Sequence, residues 1–83
     1  MKENVKDVKG AWFLYFYNVP CKCWVCKMSY SEDVILELYE KTKGRWGVED
    51  LELTNKYNGR RSRDLFFCFR DDAGRIQTEL VKK

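Results

Sequence analysis

A chain of 83 residues is one domain's worth of polymer, and at this size only roughly 60% of the unfolded surface can be buried, so a single modest core is expected. Its 45% hydrophobic and 16% aromatic content exclude a disordered chain, while 35% charged residues supply a polar surface. A net charge of +3 is too weak to specify nucleic acid and too slight to exclude it.

Residues 1–9 are polar and lack the apolar centre of a signal peptide, and Gly10 separates them from the first apolar stretch. They are expected to form a flexible arm, leaving residues 10–83 as a single domain. No apolar run approaches the ~20 residues that span a bilayer, so a cytoplasmic protein without membrane contact is expected, its four cysteines reduced. The first strand is Ala11 to Val19, where Trp12, Leu14 and Phe16 alternate with Phe13, Tyr15 and Tyr17. Apolar on both sides, it belongs in the middle of a sheet. Phenols tolerate a wet boundary, so the tyrosine side is expected to point outward. Pro20 cannot donate to a ladder and marks a reversal into a second strand, Lys22 to Ser29, whose Trp24, Cys26 and Met28 share the core side.

The stretch Tyr30 to Gly44 is the only one with helical spacing of its apolar residues: Val34, Ile35, Leu38 and Tyr39 fall in one arc opposite Asp33, Glu37, Glu40 and Lys41. Ser31 is the expected N-cap, Tyr30 a staple onto Ile35, and Gly44 the left-handed residue that ends the helix. Glu37 and Lys41 form an i,i+4 pair. Trp46 is expected to fold back over the helix end. A third strand, Val48 to Lys56, points Leu51 and Leu53 inward.

Asn58-Gly59 is the strongest turn signal and predicts a hairpin into a fourth strand near Ser62 to Arg70, through a three-residue loop with Gly59 left-handed. Asp71 to Gly74 predicts a second turn into Arg75 to Val81, with Ile76, Thr78 and Leu80 opposite Phe69, Phe67 and Leu65. The fold class is therefore α+β, ββαβββ, with one helix packed on one face of a five-stranded antiparallel sheet. Placing the first strand between the second and third gives the order 2-1-3-4-5.

Chemistry-bearing clusters are few. Cys21, Cys23, Cys26 and the distant Cys68 offer four thiols for zinc, but a strand sends Cys23 and Cys26 to opposite faces and the chain has no histidine, so no metal is expected. Cys23 and Cys26 also lack the following helix that a redox C-x-x-C requires. Without an elbow-type serine or a phosphate-binding glycine loop, neither an enzyme nor a cofactor is expected. One helix covers one side of a sheet, which would leave Phe13, Tyr15, Tyr17, Val25, Phe66 and Cys68 as a contiguous apolar patch. Such a patch suits self-association into a homodimer or, more sharply, another protein, such as part of a nucleic-acid-handling complex. The alternative is direct nucleic-acid binding, or binding of an acidic partner, through Lys56, Arg60, Arg61 and Arg63, with the outer tyrosines stacking on bases.

In size, single-helix layout and lack of a catalytic motif, the chain resembles the short accessory proteins of bacteriophages and mobile elements, among them anti-CRISPR proteins. That resemblance lies in the general build, without a residue motif. It implies a non-enzymatic protein-binding module that inhibits a host defence or transcription machine.

Overall fold

The computed structural model describes residues 10–62 and 64–82, the last by its backbone alone. The expected arm at residues 1–9 and the candidate Arg63 lie outside the described residues. The elements are β1 (Trp12–Asn18), β2 (Cys23–Ser29), α1 (Glu32–Lys43), β3 (Val48–Thr54), β4 (Leu65–Arg70) and β5 (Ile76–Lys82). One helix and one five-stranded sheet confirm the α+β class, but the strand order is β3-β1-β2-β4-β5. β1 does lie between β2 and β3, antiparallel to both. β4, however, leaves β3 and joins β2 in parallel, so the sheet is mixed. Among the described residues no helix is long and apolar enough to cross a membrane.

The helix forms where its periodicity predicts. Ser31 Oγ accepts a hydrogen bond from the Val34 amide at 3.4 Å, the first turn holds Glu32 and Asp33, and Glu37 pairs with Lys41 at 3.1 Å. Two details differ from expectation. Gly44 has φ −97°, and the left-handed glycine sits three residues later at Gly47 (φ +85°). Tyr30, expected to staple onto Ile35, meets the Phe67 ring edge-on at 5.7 Å on the far side of the sheet.

Register assigns the two faces. Arg70 reaches back to Asp33 and Glu37 of α1 at 2.9 and 3.0 Å, which marks its side of β4, with Phe66 and Cys68, as the helix face. Pairing carries that face through Lys27 to Leu14, and so to Phe16 and Val25. As expected, Leu14 is sealed there with Val34 and Ile35. β5 pairs one residue out of the expected register: Ile76, Thr78 and Leu80 oppose Arg70, Cys68 and Phe66, so β5 also turns its apolar residues to the helix side. The turn sets this register. Asp71 Oδ1 accepts from the amides of Ala73 and Arg75, both at 2.9 Å, and Gly74 (φ +83°) completes the loop.

The opposite face is not bare. Residues 55–62 make no hairpin with β4; they cross from β3 over β1 and β2 and form a strap over the aromatic side. Asn58-Gly59 does turn the chain, with the Arg61 amide bonded to the Asn58 carbonyl at 3.2 Å, but inside the strap and without a left-handed Gly59. Beneath it lies a core cluster of Ala11, Phe13, Tyr15, Cys26, Met28 and Leu65, with Tyr57 and Phe67 packed against it. The two crossovers travel in opposite directions on opposite faces, which gives them the same hand; the handedness rule for parallel connections thereby explains why the second crossing could not share the helix side.

Candidate functional site

The expected patch is dispersed by this topology. Phe13 and Tyr15 are each 1% exposed, sealed by the strap, and a partner could reach them only by displacing it. Tyr17 is half-buried on the same face, edge-on to Trp24 at 5.4 Å. Val25 and Phe66 are half-buried on the helix side, and Cys68 is fully buried there. The open aromatic face, and with it a homodimer through that face, is thus corrected: a second cover exists, and it is polar.

That cover works through specific contacts. The Tyr15 hydroxyl accepts from the Asn58 amide at 2.7 Å. The Tyr57 ring meets Phe13 at 5.3 Å. The Arg61 guanidinium lies 4.7 Å from the centroid of the Tyr15 ring and 4.9 Å from that of Trp24, and pairs with Glu52. Of the four cations expected to act together, Arg61 is therefore engaged within the fold, Lys56 and Arg60 are exposed, and Arg63 falls outside the described residues.

The helix side carries a groove of about 600 Å³. Twelve residues of helix extend ~18 Å at 1.5 Å per residue, too short to roof the sheet of a molecule that measures 33 by 32 Å along its two long axes. Beside the helix C-terminus the sheet is left open. Phe16, Val25 and Phe66 form the apolar floor, with Lys27 on the central strand beside Phe66, and Thr78 and Arg45 also line the groove. Pro20, Cys21 and Trp46 close the end. The end is built by two loops locked together: the Val19 amide donates to the Gly47 carbonyl at 2.8 Å, and a Cβ on Gly47 would stand 2.8 Å from Pro20 Cδ. Only glycine fits there, in conformation and in space. The lock holds the preceding Trp46 out from the helix it was expected to cover, 86% exposed beside the groove. Among the described residues no carboxylate lines the groove, and two cations do.

The thiols do not converge. None is in a disulfide; Cys21 and Cys23 are exposed, while Cys26 and Cys68 are fully buried on opposite faces. Burial pushes the Cys26 thiol up to about 12 and raises that of Cys68, so both stay protonated and unreactive near neutrality. Among the described residues no group of three or more His, Cys, Asp or Glu is placed to hold a metal ion.

Sequence reasoning did not find Lys27, Arg45 and Trp46. A signal was present in Gly44-Arg45-Trp46-Gly47, where the largest aromatic side chain sits in a glycine-bounded link with a cation beside it. The fold and groove define a small three-layer α+β protein with a cationic, apolar-floored cleft. No protein-family model, curated protein or solved structure matches the chain.

Proposed function

We propose that this chain is a small non-enzymatic protein-binding module that docks an acidic, apolar-anchored segment of a partner protein into the groove beside Trp46. The observation that carries the reading is the combination of an 86% exposed tryptophan, an apolar floor, and a lining that holds Lys27 and Arg45 but no carboxylate among the described residues. Exposed tryptophan and arginine are the residue types that dominate binding energy at protein interfaces. Complementarity of charge then selects an acidic partner. In its most concrete form the module is a cytoplasmic accessory protein of a phage or mobile element that occludes a surface of a host defence or transcription machine. General build supports that form.

The test is a fluorescence titration with acidic peptides bearing Phe or Leu anchors, against neutral peptides and against short DNA and RNA at two salt concentrations. Acidic peptides are expected to shift tryptophan emission and to bind at least tenfold more weakly to Trp46→Ala and Arg45→Glu, about the loss of 1.4 kcal/mol or more that marks an interface anchor. Nucleic-acid binding that weakens steeply with salt and survives Trp46→Ala would replace this reading with the basic-strap alternative.

A further inference from the structure

The two edges of the sheet are unequal. β3 is blunted: its ladder to β1 shifts register between Tyr15 and Tyr17, Asp50 is left-handed at φ +54°, and Glu49, Asp50 and Glu52 are exposed along it. Bulges and charges of this kind prevent a strand from templating another. β5 has its own register shift only at Val81, beyond the regular stretch Ile76–Leu80, where Glu79 is the single charge and Leu80 is 48% exposed. The direction of its backbone follows from the turn. The Asp71 amide donates to the Arg75 carbonyl at 2.8 Å, so Arg75 faces β4. Alternation along an antiparallel strand then turns the N–H and C=O groups of Ile76, Thr78 and Leu80 to the open edge.

We propose that this edge pairs antiparallel with β5 of a second copy, with Thr78 on the twofold axis, joining two sheets into one of ten strands. The register is self-complementary. Thr78 meets Thr78 of the partner copy, and the outward amides and carbonyls of Ile76, Thr78 and Leu80 meet their equivalents. Ile76 of one copy lies against Leu80 of the other on the helix face, and Gln77, whose side-chain amide donates one N–H to Asp71 of its own copy at 2.7 Å, lies against Glu79 on the strap face with its second N–H to offer that carboxylate. Centring the pair on Glu79 would instead set two carboxylates against each other, which cross-strand pairing disfavours. The axis also brings the two grooves together, since Thr78 and Phe66 lie in the groove lining. A pairing of one strand per copy is small, so association is weak and concentration-dependent.

Sedimentation equilibrium on the full chain up to about 1 mM, with circular dichroism to verify folding, tests the pairing. A reversible monomer–dimer equilibrium is expected. Thr78→Pro removes an amide that β4 does not use, so a folded monomer is expected. Gln77→Lys adds two opposite-charge pairs to Glu79 across the axis and is expected to tighten the dimer about fivefold. A chain monomeric throughout, a folded Thr78→Pro protein that dimerises like the parent, or a Gln77→Lys protein with unchanged association overturns the proposal. Should Thr78→Pro fail to fold, Gln77→Lys decides alone. A monomer that captures an extended peptide along β5 likewise overturns it.

Discussion

Replacing Arg61 with alanine should strip the strap of its main side-chain anchor. The guanidinium lies 4.7 and 4.9 Å from two ring centroids, and its side chain is only 25% exposed, so each cation–π contact is expected at about 1 kcal/mol, between exposed and desolvated values. The pair with Glu52, itself 51% exposed, adds about 0.5 kcal/mol at most. A total near 2.5 kcal/mol corresponds to a Tm lower by about 10–20 °C for a domain of this size. Urea unfolding followed by tryptophan emission measures it, since Trp24 lies under the guanidinium. Arg61→Lys keeps the charge but loses the plane, and should recover less than half of the loss. An alanine variant within about 0.5 kcal/mol of the parent would refute the assignment of Arg61 as the strap's anchor, because surface substitutions away from such features have effects of that size. One practical consequence concerns the nucleic-acid alternative: reversing Arg61 would weaken binding by loosening the fold, so Lys56 and Arg60 are the sound positions to reverse.

Two further outcomes concern titration. In the native chain Cys21 and Cys23 should react with a thiol reagent well before Cys26 and Cys68; because burial raises the Cys26 thiol to about 12 and the Tyr15 phenol further still, the stability present below the thiol's ordinary 9 should be lost as pH climbs through the folded value. Equal reaction of all four thiols, or a flat alkaline profile, would contradict that burial. The amides of Arg75, Ala73 and Gly74 and the side chain of Gln77 hold the Asp71 carboxyl below its ordinary 3.8; its contribution is present above that value and lost as pH falls through the folded one, so Asp71→Ala should destabilise at neutral pH and converge on the parent in acid, as read by thermal melts.

The elements were legible because their signals are local. A 3.6-residue period, Ser31 and the paired charges specify α1, and strict alternation specifies β1 and β2. What failed was long-range pairing. Asn58-Gly59 is a genuine turn, but a turn signal does not say whether the chain then returns to the strand it left or continues across the sheet. Segment 55–64 has one large apolar residue, Tyr57, and so reads as solvent-facing. Its other contributions to the cover, a backbone amide bonded to the Tyr15 phenol and a guanidinium laid on two rings, leave no trace in hydrophobic periodicity. For that reason Phe13 and Tyr15 read as partner-binding, while the groove, assembled from β1, β2, β4, β5 and two loops, required the strand order to be known.

The parallel seam of β2 with β4 has a consequence for biosynthesis. It holds three residue pairs, from Cys26 with Leu65 to Met28 with Phe67, so its halves lie almost forty positions apart in the order of translation. As the chain leaves the ribosome, β1, β2, α1 and β3 emerge before β4 does, and until β4 follows one flank of β2 waits for a neighbour and the underside of β1 has no lid. The nascent protein is therefore most adhesive before β4 emerges, and the docking of β4 closes the flank and holds the lid down together.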